Sequence, residues 1–318
     1  MNPANAVQVR RRYHGNKPTQ DRCQGHEGIR GREAAIVDTG RRRLACLAAV
    51  LALVVAPCAS ADVGANPVLN FGVVPQQAAT RLAEEWGPLL AEVGRRAGVS
   101  LIFRTAPTIP AFEERLGKAE YDLAYMNPYH YVVFHAAQGY EAIAKERDRK
   151  IRGILVVRTD SPYRKVAELA GKTVIFPAPA AFAASILPQA EFGRQNIRID
   201  AKFVASHDSV YLAVANGLQE AGGGIQRTFE AAAPEIRGKL RILTETPPYT
   251  PHAFAIHPRV PPQIARRVVS AMASLAEDET GRRLLAPLAF KGIEPARDQD
   301  WNDIRGLDIE LLSQYGKH

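Results

Sequence analysis

From Val68 onward the chain alternates short β-branched runs with amphipathic helical stretches, and that alternation constrains its fold most strongly. Val68–Val74 reads as a strand ended by Pro75. The next segment is apolar at Leu82, Trp86, Leu89, Leu90 and Val93, spacings of three and four that mark one helical face. Gly98 ends it before a strand over 100–104. A helix over 109–118, a strand over 121–125 and a helix over 129–139 follow, then strands over 151–158 and 173–176. Further helices are expected over 181–196, 209–217, 261–275 and 281–288, with strands over 201–205, 221–225, 240–244 and 253–257. The pattern predicts an α/β fold with mostly parallel strands. It divides into two lobes, the second inserted in the first. Lobe one spans 66–159 plus 246–318 and lobe two 160–245, with a hinge of two crossing segments near 157–161 and 246–251. A cleft between such lobes is where small ligands bind.

The residues before this pattern read as a leader. Arg41-Arg42-Arg43 precedes a 13-residue apolar run, residues 44–56, which ends at Pro57 and the small triplet Ala59-Ser60-Ala61. This is the layout of a secretory signal peptide cleaved before Asp62, and the run is shorter than the roughly 20 residues a membrane span needs. Pro57 immediately before Cys58 disfavours a lipoprotein box, so a periplasmic rather than an anchored protein is expected. The leader also explains the composition. The whole chain carries a formal charge of +8 and three cysteines. Residues 1–61 hold all three cysteines and ten basic against four acidic residues, so the remaining 257 residues carry 31 basic and 29 acidic. A net charge of about +2 removes the argument for nucleic acid as a partner. No disulfide, metal or cofactor is expected in the mature chain; His130 and His135 stand five apart, not at the spacing of a helical zinc pair.

Several stretches, in this order, resemble the phosphate/phosphite/phosphonate-type periplasmic substrate-binding proteins of ABC transporters. They are Phe71-Gly72-Val73-Val74-Pro75, residues 121–129 (YDLAYMNPY), residues 169–177 (LAGKTVIFP) and residues 206–217 (SHDSVYLAVANG). The resemblance covers essentially the whole chain after the leader. It implies a type 2 periplasmic-binding-protein architecture whose lobes close on a small oxyanion. It also implies transfer of that anion to an inner-membrane ABC permease or, alternatively, presentation to a signalling partner as a sensor. A monomer without enzymatic activity is expected.

The family places a Ser-Thr-Ser-Gly run at the start of a lobe-two helix to bind phosphoryl oxygens. Here the matching residues are Ala181-Phe182-Ala183-Ala184, with Ser185 the nearby hydroxyl. Backbone N–H donors survive that change and side-chain hydroxyls do not. The resemblance further points to His207 and Ser209 at a strand-to-helix junction, although Asp208 or Ser209 can equally cap the helix. Tyr125, Asn127 and Tyr129 follow a strand at its carboxyl end, where α/β sheets bind ligands, or else pack beneath the next helix. Gln76 holds the equivalent place after the first strand. Arg227 follows the glycines 222–224. Relatives that take amine-bearing phosphonates tend to carry an acid near there; an arginine favours an oxyanion and repels an ammonium, unless it is only a surface charge. An enzyme finds no support: adjacent His207, Asp208 and Ser209 cannot form a catalytic triad, and no Gly-x-Ser-x-Gly elbow occurs.

Overall fold

The computed structural model describes residues 66–316. The leader with its apolar run, and the cysteines, lie outside the described residues. In chain order the elements begin with β1 (Val68–Val73), α1 (Ala79–Ala97), β2 (Ser100–Arg104), α2 (Ile109–Gly117), β3 (Leu123–Met126), α3 (Pro128–Gln138) and β4 (Glu141–Glu146). Then come β5 (Gly153–Arg158), β6 (Thr173–Phe176), a π-helical turn (Phe182–Ile186) leading into α4 (Leu187–Arg194), β7 (Asp200–Phe203), α5 (His207–Ala215), β8 (Ala221–Ile225) and α6 (Gln226–Glu230). The chain continues through α7 (Pro234–Arg237), β9 (Leu240–Glu245), β10 (Ala253–Ile256), α8 (Pro262–Ala273), α9 (Glu279–Leu285) and β11 (Ile293–Pro295). Among the described residues no helix is long and apolar enough to cross a membrane.

The strands form two sheets, ordered β11-β4-β10-β3-β1-β2 and β7-β6-β8-β5-β9. Both are mixed rather than mostly parallel. In the first, β1 pairs in parallel with β2 and β3, while β10 runs antiparallel to β3 and β4. In the second, β6 is parallel to β7 and β8, and β5 is antiparallel to β8 and β9. Antiparallel returns are possible because the chain crosses between the sheets twice, so the strands entering and leaving the second sheet reverse direction.

Two further features differ from the sequence reading. Strand β5 belongs to the second sheet, although the sequence placed it in lobe one with the crossing at 157–161. Its five buried residues from Gly153 to Val157 suit an interior strand between two neighbours. The crossing segments instead meet just before it, where Ile151 and Tyr249 exchange backbone hydrogen bonds of 2.8 and 2.9 Å. Strand β4 also escaped the sequence reading. Its residues EAIAKE alternate correctly, but Glu, Lys and Ala have little preference for strands, and pairing with β10 and β11 overrides that weakness.

The expected face of α1 is buried at Leu82, Trp86, Leu89, Leu90 and Val93, and Gly98 closes the helix at φ 64°. Thr108 caps α2 by accepting from the Ala111 N–H. The second sheet has Val210, Tyr211 and Val214 of α5 in the apolar cluster on one side, and Leu169 and Phe192 in a separate cluster with Val174 and Phe176. The largest apolar cluster fills the first lobe and does not stop at its boundary. It continues through Ala178 to Leu187, so the π-helical turn is part of the same core.

Glycines seat that turn. A Cβ on Gly153 would overlap the Ala183 carbonyl oxygen, and one on Gly223 would overlap the Ala184 carbonyl oxygen. The turn therefore lies with its backbone directly on β5 and β8, closer than any side chain permits. Gly153→Ala is expected to lower the unfolding free energy in urea by about 1–3 kcal/mol, as overpacking does. Gly193→Ala, at an exposed helical position with nothing within 4 Å, should raise it by about 0.5–1 kcal/mol. Equal effects at the two positions would refute the seating.

Candidate functional site

Gln76 is the residue around which the cleft is built. It follows Pro75 at the carboxyl end of β1, and its backbone folds back so that its N–H donates to the Val74 carbonyl at 2.9 Å. Three bonds leave it. Its carbonyl accepts from the His207 N–H at 3.0 Å, and its side-chain oxygen accepts from Arg227 at 2.7 Å. Its amide nitrogen lies 3.1 Å from His252 Nε2. The first two bonds cross to the other lobe and the third stays beside the crossing segment. Because the amide oxygen takes the guanidinium, the nitrogen donates to His252, which places that imidazole's proton on Nδ1.

Asn127 makes a second crossing contact. As the cap of α3 its oxygen accepts from the His130 N–H at 2.8 Å, while its amide nitrogen donates to the Ala180 carbonyl at 3.1 Å. One side chain therefore ends a helix in lobe one and touches the wall of lobe two. Tyr125 lies beneath, fully buried, its ring stacked on His252 at 4.9 Å and against Trp86 at 4.7 Å. It forms the floor rather than a polar contact.

His207 begins α5. Its Nδ1 meets the Thr228 hydroxyl at 2.9 Å, and that hydroxyl also lies 2.8 Å from the Tyr211 hydroxyl. Burial and the nearby Arg227 charge push the His207 pKa down to about 3, and the same causes hold His252 well below the ordinary histidine value. Both imidazoles are neutral at physiological pH and act as dipoles.

The facing wall is apolar. Ala181, Phe182, Ala183 and Ala184 line the cleft together with Val74, Ile109 and Ile225. The Phe182 ring meets the edge of Tyr249 at 5.6 Å. The space left among these residues is 10 Å³, room for one water centre. Next to it, toward the crossing segments, Arg149, Lys150, Arg152 and Arg227 line a shallow mouth that holds Glu146 as its carboxylate. Burial raises the pKa of Glu146, opposed by the charges of Arg227 and Arg149.

Of the residues expected at the site, Gln76, Asn127, His207 and Arg227 line this region, and Tyr125 supports it. Three do not. Tyr129 turns toward the C-terminal segment, where its hydroxyl bonds the Ile309 carbonyl and the Leu312 N–H. Ser185 is fully buried inside the π-helical turn, its hydroxyl without a partner among the described residues, and it is not among those lining the cleft. Ser209 serves as a cap partner, its N–H and hydroxyl both on Ser206 Oγ. Sequence reasoning missed His252, Thr228 and Glu146. His252 follows Pro251 in a segment read only as punctuation; its signal was its place just before strand β10, which returns to the centre of the first sheet.

With this geometry in hand, comparison with known proteins is informative. The family model described as the periplasmic substrate-binding protein of phosphonate ABC transporters matches residues 71–301. The phosphate-import protein PhnD of Mycolicibacterium smegmatis is 21% identical over 314 residues, covering 83% of this chain and 94% of the relative. Among solved structures, the binding component of an ABC phosphonate transporter from Pseudomonas aeruginosa superposes with a TM-score of 0.71 at 17% identity. It covers 76% of this chain and 86% of the other. PhnD1 of Prochlorococcus marinus, solved with methylphosphonate, gives 0.70 at 16% identity and covers 76% and 96%. At such identities the superpositions establish the shared two-lobed fold.

The two depressed imidazoles make stability pH-dependent. A histidine whose folded pKa lies below its unfolded value of about 6.5 leaves the unfolded chain binding more protons. For His207 that contribution is fully present above pH 6.5 and is lost as pH falls toward 3, with a slope that grows below pH 6.5 to about 1.4 kcal/mol per pH unit. His252 adds to the loss in the same direction. Urea unfolding at pH 7, 6 and 5 should show this decline, and His207→Gln should flatten it by about one group's share. An unchanged slope would show that His207 is not held neutral.

Proposed function

Because the chain belongs to the periplasmic substrate-binding proteins of phosphonate ABC transporters, we propose that it captures a small phosphorus oxyanion between its lobes and delivers it to an inner-membrane permease. The observation that carries this reading is the convergence on Gln76. One side chain bonds His252 on the near side and Arg227 on the far side, while its carbonyl takes the His207 N–H. A ligand entering there replaces bonds that already join the lobes, so capture and closure draw on the same groups. Gln76, Asn127, His207 and Arg227 are the ligand contacts in this reading, and the cationic mouth steers an anion toward them.

Export by the signal peptide accompanies this role, with Asp62 as the mature N-terminus and a monomer as the working form. N-terminal sequencing of the exported protein should begin at Asp62; a chain retaining residues 44–56 would refute cleavage. Binding without turnover belongs to the same reading and is favoured by membership of a substrate-binding family. Family membership favours delivery to a permease over presentation to a signalling protein.

Calorimetric titration with phosphate, phosphite, methylphosphonate and sulfate tests the ligand class. Saturable one-to-one binding of at least one phosphorus oxyanion is the expected result. Silence with all of them would overturn oxyanion capture.

A further inference from the structure

We propose that the first turn of α1 is the latch of the closed cleft, and that Asp208 and Arg81 are positioning residues that set His207 and Arg227 opposite Gln76. The latch stands on contacts between the lobes, and its effect on ligand affinity rests on the oxyanion-capture reading above.

Two helix starts meet across the cleft. The Gln76 carbonyl accepts from the N–H of His207, the first residue of α5, at 3.0 Å, and two residues on the Ala78 N–H donates to Asp208 Oδ2 at 3.3 Å. The residues that lead into α1 therefore lie against those that open α5, and each side supplies an acceptor to the other. A helix start leaves N–H groups without helical partners and carries about half a positive charge. In α5 part of this need is met locally, because Ser206 accepts from the Ser209 N–H. In α1 it is not: the cap position is Ala78, and the first turn holds no acidic residue but does hold Arg81. The carboxylate that answers the start of α1 comes from the other lobe, as Asp208.

Arg81 makes the second half of the latch. Its Nε donates to Glu85 Oε1 at 2.8 Å within α1, and its Nη1 donates to the Ala231 carbonyl of the other lobe at 2.6 Å. Ala231 closes the turn that begins at Arg227, its N–H donating to the Arg227 carbonyl at 3.1 Å. One turn of α1 thus holds both elements that carry contacts from the second lobe. It holds α5 through Asp208, next to His207, and α6 through the carbonyl four residues after Arg227. None of Ala78, Arg81, Asp208 and Ala231 lines the cleft or its mouth. A ligand that displaces Gln76 from Arg227 therefore leaves these bonds in place. Closure has a component independent of what is bound, and a protein without it is open more of the time.

The chain has no cysteine after residue 61, so Ala91→Cys and Lys239→Cys, both at exposed positions, place one spin label on each lobe. Distances between the labels, measured in the full exported protein without ligand and with saturating methylphosphonate, read the closed fraction. Asp208→Ala and Arg81→Ala should each lower that fraction in the ligand-free protein, and together should open about half of it or more. Asp208→Asn, which keeps an acceptor oxygen without the charge, should fall between wild type and Asp208→Ala. Glu84→Ala, which removes an exposed charge from the same helix, should leave the distances unchanged. In titrations with phosphate and methylphosphonate, affinity should fall in proportion to the closed fraction lost, about twofold or more in the double variant. Ligand-free distances in both single variants that match the wild type would overturn the latch. Opened distances with undiminished affinity would overturn the positioning of His207 and Arg227. Equal opening in Glu84→Ala would overturn the assignment to Asp208 and Arg81. Silence of the wild type toward both anions would overturn oxyanion capture, while the ligand-free distances still decide the latch.

Discussion

Two backbone hydrogen bonds between Ile151 and Tyr249 tie the crossing segments together, and the site is arranged around that tie. Residues just before Ile151 supply Glu146, Arg149 and Lys150, and those just after it supply Arg152 and Gly153. On the other crossing segment Tyr249 braces Phe182, and His252 lies three residues further on. The antiparallel bridge thus fixes the cation mouth, the glycine seat and one imidazole relative to each other. Because only two chain segments cross, rotation about them changes the separation of Gln76 from Arg227 and His207 while leaving each sheet intact. Of the bonds that Gln76 makes across the cleft, the neutral one from the His207 N–H contributes about 0.5–1.5 kcal/mol and the charge-assisted one from Arg227 about 1.5–3 kcal/mol. A ligand offering equivalent partners can replace them without disturbing either core.

The apolar turn at Phe182–Ile186 gives the cleft a second constraint. It joins the core of the first lobe while resting on strands of the second sheet. Much of the contact between the lobes is therefore hydrophobic rather than hydrogen-bonded, and opening the cleft exposes that surface.

The fold was largely legible where its strands carry the apolar and β-branched runs that single-sequence reasoning detects: strands 100–104 and 173–176 match in full, and 221–225 matches although its residues AGGGI lack that signal. What escaped was tertiary. Strand β4 has poor strand formers and exists because β10 and β11 pair with it on either side. The identity of the sheet that holds β5 depends on pairing partners far along the chain, β8 and β9, which no local pattern states. At the site, positions at strand ends were readable and side-chain directions were not. Tyr125 and Tyr129 lie four residues apart, yet one ring floors the cleft and the other holds the C-terminal segment. Ser209 illustrates the same limit, since a helix start offers a hydroxyl both a capping partner and a ligand, and here Ser206 takes it.

Charge explains why Gln76 rather than a carboxylate suits the centre of this site. A carboxylate at that position would sit 2.7 Å from a guanidinium, form an ion pair and leave no charge for an incoming anion. It would also face neutral His252 and raise that imidazole's affinity for a proton. The amide performs the positioning without either consequence: its oxygen orients Arg227, its nitrogen fixes the His252 tautomer, and the net charge at the cleft stays positive. With the mature chain near neutrality overall, attraction for an anion must come from such local placement. In the proposed capture the cations at the mouth would draw the ligand in, and the one that Gln76 holds is half-buried.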